Sequence, residues 1–363
     1  MSYLRALVVS VVVAGVLTAS AQGATGVRIG LGEAPGVAID AAGTAHIAYN
    51  ADYVNGVGQP LTYCAWPRGA RSCTPRPIFS DGNSALAQPA LVQAGPAPGE
   101  LTIVSARSPI VSVRSVDGGA TFAAPVAIGF GSFFDGAFGP GGALALGIHN
   151  GFRYRTLAGP ADMTASVVLN SAFQPNSVVG FAGTRPVFVS GAARDGIGVS
   201  SWSGQGDVHD PLSWTGPFKI AESNDFMLAN GPRGLWLAYA DFNNGGRNPV
   251  IARKFDGRRF GKAHRVPAGR LGRASIIGLG FAQSPAGEMA AVWHNSSLDR
   301  LEYAASRTGN RWSSPRVLAT GVDLPADIRV ALGADGRGLV VWDENSGDDM
   351  NVVRISVRSL LRR

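Results

Sequence analysis

The chain is short of charge: charged residues make up 16% of its 363 positions, against about 25% in an ordinary soluble domain. Helical bundles want Glu, Lys and Leu in their interiors, and disordered chains want few β-branched residues. Val, Ile, Thr and Gly take their place here, with 49 Gly and 22 Pro, so the composition reads as all-β. The net charge of +7 comes from 32 basic and 25 acidic residues. Almost all the basic residues are Arg, scattered singly or in pairs, and no stripe of like charge suggests nucleic acid.

Long apolar runs are also missing, except at the start. Residues 1–21 carry one cation, Arg5, then the run from Leu7 to Leu17 and the small-residue exit Ala19-Ser20-Ala21. This is the three-part pattern of a secretory signal peptide cleaved after Ala21. It leaves residues 22–363 as a single secreted, extracellular domain with no membrane span after the signal is removed. Cysteine occurs only twice. Cys64 and Cys73 flank a Pro/Gly turn, and in an oxidising compartment two cysteines on opposite arms of a hairpin form a structural disulfide.

What the chain does have is a repeat. A strand, a Gly turn and a strand ending in an aromatic recur in Val37–Tyr49, Asn230–Tyr239, Gln283–Trp293 and Leu332–Trp342, with weaker copies at Gly95–Val104, Phe138–Ile148 and Phe181–Val189. The spacing, roughly 40 to 55 residues, is that of propeller blades. Third strands follow at Leu61–Trp66, Ile110–Val116, Phe152–Leu157, Ile197–Trp202, Pro249–Phe255, Leu301–Ser306 and Asn351–Val357, and several fourth strands open on Pro. Four antiparallel strands per unit predict a seven-bladed β-propeller, with six blades as the alternative. The last unit has no room for a fourth strand, and Val27–Gly32 resembles the missing piece. The mature N-terminal strand is therefore expected to close the last blade.

The segment Ser115-Val116-Asp117-Gly118-Gly119-Ala120-Thr121-Phe122 fits Ser-x-Asp-x-Gly-x-Thr-Phe and resembles the repeat of sialidase-like (BNR, Asp-box) β-propellers. The family resemblance implies that this turn joins third and fourth strands at the blade periphery. Ser115, Asp117, Gly119, Thr121 and Phe122 are then fold residues, with the carboxylate accepting N–H groups of its own turn. The family's chemistry rests on three arginines, a Tyr nucleophile assisted by Glu and an Asp acid. The nearest counterpart of its Phe/Tyr-Arg-Ile-Pro segment is Val27-Arg28-Ile29-Gly30, which keeps two residues of four. Arg107, Arg194, Arg247, Arg300 and Arg329 lie near predicted rim loops. Glu302 and Tyr303 are adjacent on a strand and so face opposite sides.

No catalytic residue is assigned on this basis. The expectation is a non-catalytic module that binds a glycan or a cell-surface or extracellular protein. The alternatives are a sialidase-type glycoside hydrolase with a diverged site and a display scaffold. Loops between second and third strands converge on one face of a propeller. The candidate ligand-binding residues there are Asp52, His149, Arg194, Asp241, Asn243, His294, Asp343 and Glu344. No metal ligand set and no cofactor is expected. Asp241–Gly246 and Asp343–Asp349 offer oxygen ligands of the kind Ca²⁺ takes, but neither has the alternation and terminal Glu of a dedicated calcium loop.

Overall fold

In the computed structural model, the described residues are 26–361 apart from 53–57, 81–89, 106–108, 130–132, 134, 149–150, 157–165, 169–175, 193–195, 224, 242–248, 268–275, 326 and 345–348. The expected signal segment lies outside them. Among them no helix is long and apolar enough to cross a membrane.

Alternation of apolar and small residues, punctuated by Gly turns, produces short antiparallel strands. The chain begins with β1 (Val27–Ile39), β2 (Ala45–Ala51), β3 (Leu61–Trp66) and β4 (Arg76–Phe79), then β5 (Ala90–Ala94), β6 (Leu101–Ser105), β7 (Ile110–Ser115) and β8 (Val126–Gly129). Next come β9 (Asp135–Phe138), β10 (Ala143–Ile148), β11 (Gly151–Thr156) and β12 (Ser166–Val168), followed by β13 (Asn176–Ala182), β14 (Arg185–Ala192), β15 (Gly196–Trp202) and β16 (Trp214–Ala221). After these lie β17 (Phe226–Ala229), β18 (Trp236–Ala240), β19 (Val250–Phe255) and β20 (Phe260–Val266), then β21 (Ile276–Gln283), β22 (Met289–Asn295), β23 (Arg300–Ser306) and β24 (Arg316–Thr320). The chain ends with β25 (Ile328–Leu332), β26 (Arg337–Glu344), β27 (Asp349–Ser356) and a short helix, α1 (Val357–Leu361).

The fold is an all-β propeller, but its sheets are not the set of equal blades expected from the repeat. Five four-stranded blades stand as separate sheets, β5–β8, β9–β12, β13–β16, β17–β20 and β21–β24. The remaining strands form one seven-stranded sheet in the order β25-β26-β27-β1-β2-β3-β4. Five separate blades replace the expected count of seven, and the alternative of six equal blades fails as well. The cause is β1, which read from sequence as two strands and is one strand of 13 residues. Its first part, Val27 to Leu31, pairs β27, and its second part, Gly32 to Ile39, pairs β2. The N-terminal strand thus does join the last strand of the chain. Because it then continues without a break, the sheet it completes is fused to the next.

Neighbouring sheets bury their facing sides against each other. Trp342 of β26 and Tyr303 of β23 share one apolar cluster, and Trp236 of β18 and Trp293 of β22 share another. Some sheets approach too closely for a side chain. A Cβ on Gly36 of β1 would collide with the Ala90 carbonyl of β5, so only glycine fits there. The Cys64–Cys73 disulfide is formed across a Cα separation of 5.8 Å.

The turn between β7 and β8 shows how the blade edges are stapled. Asp117 accepts the Thr121 N–H at 2.9 Å, the Thr121 hydroxyl at 2.5 Å and the Ser115 hydroxyl at 2.8 Å. These hydrogen bonds, the Thr121 hydroxyl foremost, hold its carboxyl down at about 2. Ser115 Oγ also accepts the Gly119 N–H at 2.9 Å, and Gly119 has φ +83° with no room for a Cβ beside Tyr63. Tyr63 of β3 donates to the Gly118 carbonyl at 3.2 Å and meets the edge of Phe122 at 4.9 Å between ring centres. The turn therefore locks the sheet of β7 to the sheet of β3. A related turn after β23 uses Ser306 Oγ to accept the Gly309 N–H at 2.8 Å.

Candidate functional site at the channel mouth

The first strand of each repeat lies innermost, so β1, β5, β9, β13, β17, β21 and β25 line a central cavity of about 610 Å³. Asp135 and Arg329 line it, and Asp225 and Asp327 stand just ahead of two of these inner strands. Asp135 is the first residue of β9 and pairs Gly147. Asp225 precedes Phe226, which pairs Tyr239. Asp327 precedes Ile328, which pairs Trp342. The carbonyls of Asp225 and Asp327 accept the N–H of Ala240 and Asp343 at 3.0 and 3.4 Å, the same bond in two sheets.

Arg329 is the cation among them. Its Nη1 donates to Asp135 Oδ1 at 3.2 Å, and its Nη2 to Asp327 Oδ1 at 3.2 Å, while Met227 Sδ lies 3.8 Å from Nη1. In the ring β25 touches β21 and β1, whereas β9 touches β5 and β13. The Arg329–Asp135 pair therefore spans the channel between strands that are not neighbours. Burial would lower the Arg329 pKa, but Asp327, Asp135 and Asp343 together raise it, so the guanidinium is charged.

The carboxylates feel the opposite pull. Asp135 is pushed up to about 6 by burial, against the Arg329 charge and the N–H groups of Gly136 and Val179. Asp225 is pushed up to about 6 by burial alone. Asp343 is also pushed up to about 6, by burial and then by the Asp327 charge. Both Asp343 oxygens are engaged, Oδ1 by the Asp327 N–H at 2.7 Å and Oδ2 by the Ala34 N–H at 3.1 Å. Ala34 has φ +54° and lies at the irregularity in the β1–β2 pairing between Glu33 and Gly36. Asp343 thus ties the irregular stretch of β1 that follows its change of partner to β26.

The other expected ligand residues are placed as follows. His149, Arg194 and Asn243 lie outside the described residues, as do most positions of the two Asp-rich loops. Asp52 and Asp241 are half-buried just past the ends of β2 and β18. His294 is buried, its Nε2 3.0 Å from the Val322 carbonyl, and burial lowers its pKa. Glu344 accepts Trp342 Nε1 at 3.1 Å and Asn351 Nδ2 at 3.2 Å, bracing β26 against β27. Of the described members of the expected set, Asp343 is joined by hydrogen bonding to the Arg329 cluster. Arg300 forms an ion pair with buried Glu302, which also accepts Trp293 Nε1 at 3.0 Å, and Arg28 pairs Asp349 at 2.7 Å. Among the described residues no three His, Cys, Asp or Glu side chains come together to hold a metal ion.

Asp135, Asp225 and Asp327 went unnoticed in the sequence. Asp225 and Asp327 each stand one residue ahead of a short apolar strand and Asp135 opens one, and no local sequence signal marks them out.

Neither a family model nor a curated protein matches the sequence. Similar structures are propellers of varied occupation. An α-L-arabinofuranosidase from Fusarium graminearum bound to an iminosugar inhibitor superposes with a TM-score of 0.52 at 10% identity, over 94% of this chain and 99% of that one. A Hadza microbial sialidase gives 0.50 at 12% identity over 92% and 68%, and YCF48 bound to a D1 peptide gives 0.53 at 15% over 92% and 96%. At such identity the likeness establishes the β-propeller fold, in company with both glycoside hydrolases and a peptide-binding propeller.

Proposed function

We propose that this is an exported β-propeller of the sialidase-like, Asp-box kind that binds a ligand, a glycan or a protein, at the channel mouth without turning it over. The observation that carries this reading is the state of Arg329. A clamp for a sialic acid carboxylate needs accessible guanidinium groups whose charge is not already paired, whereas both Nη atoms of Arg329 are held by the carboxylates of Asp135 and Asp327 and its unpartnered Nε is buried. Among the described residues Asp135, Asp327 and Asp343 surround that cation, so the mouth is acidic and repels an acidic sugar. It suits a neutral glycan, whose hydroxyls donate to carboxylates, or a segment of a protein bearing amide and ammonium donors.

A second reading, a glycoside hydrolase with a diverged site, is favoured by Asp135 and Asp343, whose raised pKa values of about 6 are those of proton donors at neutral pH. The inhibitor-bound arabinofuranosidase among the similar structures makes a neutral furanoside the substrate to try. One experiment separates the readings: a mixed neutral and acidic glycan array, run beside chromogenic sialoside and arabinofuranoside assays. Binding to neutral glycans with no release of chromophore is expected. Furanoside hydrolysis abolished by Asp135→Asn would establish the hydrolase, and sialoside turnover would overturn both the acidic-mouth argument and the binding reading.

A further inference from the structure

The net charge of +7 has no role at the acidic mouth, and the structure shows where much of it gathers. The chain has three lysines, Lys219, Lys254 and Lys262, and all lie on β16, β19 and β20 or beside them. Between the outer edges of β16 and β20 opens a second cavity of about 610 Å³, lined in part by Phe218, Lys219, Arg253, Asp256, Arg258 and Arg259. Four cations thus face one carboxylate.

The carboxylate is spoken for. Asp256 accepts the N–H groups of Arg258 and Arg259 at 2.9 and 2.8 Å, and these turn bonds, that of Arg259 first, hold its carboxyl below the usual range. Arg259 Nε lies 3.9 Å from it with the side chain 79% exposed, too loose an ion pair to neutralise the guanidinium. Among the described residues the Arg258 guanidinium forms no ion pair, its backbone N–H alone meeting Asp256. Arg253 is fixed in place, donating from Nε to Tyr239 Oη at 3.0 Å and from Nη1 to the Gly261 carbonyl at 3.3 Å. Lys219 touches Glu222 at 3.3 Å on the open surface.

Two further features narrow the ligand. β16 and β20 are the terminal strands of their sheets, each paired on one side only, so each presents backbone donors and acceptors along an edge. Phe218, on β16 itself, is 42% exposed beside the cations. A polysaccharide or a nucleic acid can satisfy the charges but cannot reciprocate a strand edge. An extended polypeptide can do both, and its carboxylates match the fork of an arginine.

We propose that the cleft between β16 and β20 is a docking site for an extended acidic peptide segment of a partner protein, lying along the β16 edge with its carboxylates on Lys219, Arg258 and Arg259. This surface is on the rim of the ring and is separate from the channel mouth.

The test uses the full mature chain and fluorescence anisotropy with a short labelled peptide of alternating Glu and Val. Saturable binding is expected, weakening as NaCl is raised. Arg258→Glu with Arg259→Glu should weaken it about tenfold or more with an unchanged melting curve. If that pair unfolds the protein, Arg258→Gln alone should still weaken binding a few-fold. N-methylation of alternate amides in the peptide should abolish binding while leaving its charge intact. Equal binding of the Lys-for-Glu peptide, or undiminished binding to the Arg258 and Arg259 variants or of the methylated peptide, would overturn the proposal. So would capture of heparin or an oligonucleotide in place of the peptide.

Discussion

Asp225 is the residue at which burial acts with least opposition. Asp135 has a guanidinium and two N–H groups to steady its charge, and Asp343 has two N–H groups, but nothing lowers the pKa of Asp225 against the push of desolvation. Its folded pKa of about 6 stands above the ordinary aspartate value of 3.8. The folded state therefore binds the proton more tightly than the unfolded chain. Stability associated with this group is fully present below about pH 4 and is lost as pH rises through about 6. Asp225→Asn removes that loss while keeping the shape. Since the side chain is partly exposed, the expected gain at pH 7.5 is about 1–3 kcal/mol, with none at pH 4. Urea melts of the two proteins at both pH values check it, and an equal gain at both would show that the carboxylate charge is not the cause.

At the scale of elements, β1 determines how the ring is joined. It carries one side of the pairing to β27 and one side of the pairing to β2, and Asp343 holds the irregular stretch just past the change of partner. Deleting residues up to Leu31 should leave β27 an unpaired edge and lower the melting temperature of the whole domain in a single transition. A truncated chain that melts at the same temperature would refute this. The hairpin closed by Cys64 and Cys73 is a smaller staple, and replacing both by Ala should reduce stability by about 2–3 kcal/mol, read by denaturant titration under oxidising conditions. Much of this level was legible beforehand. The third strands fall within a residue or two of their predicted bounds, because alternation and turn glycines are local signals. The fusion of sheets through β1 was not legible, because Gly32 and Pro35 read as a break and the hydrogen bonds that bridge it come from residues some three hundred positions away. The cluster of Arg329 with Asp135, Asp327 and Asp343 was hidden for the same reason. Arg329 could be named from the sequence, but its partner Asp135 is 194 residues distant, and only the ring brings them together.

For the whole molecule, the Arg329–Asp135 pair is a strut across the channel, and its energetics differ from those of a surface ion pair. The Arg329 side chain is 14% exposed and that of Asp135 11%. Desolvation offsets much of the attraction, so the intact pair adds little net stability, yet removing one partner strands the other charges in the interior. Arg329→Met keeps most of the side-chain volume but leaves Asp135 and Asp327 facing each other with no counter-ion. A loss of about 3–5 kcal/mol is expected at pH 7.5. The loss should shrink at pH 5, where Asp135, with its pKa already raised, takes up a proton. Adding Asp135→Asn and Asp327→Asn to Arg329→Met should recover most of the stability, because the stranded charge is then gone. Denaturant melts of the single and triple variants decide the matter. A triple variant no more stable than the single one would mean that the bridge itself, rather than relief of buried charge, holds β25 to β9 across the ring.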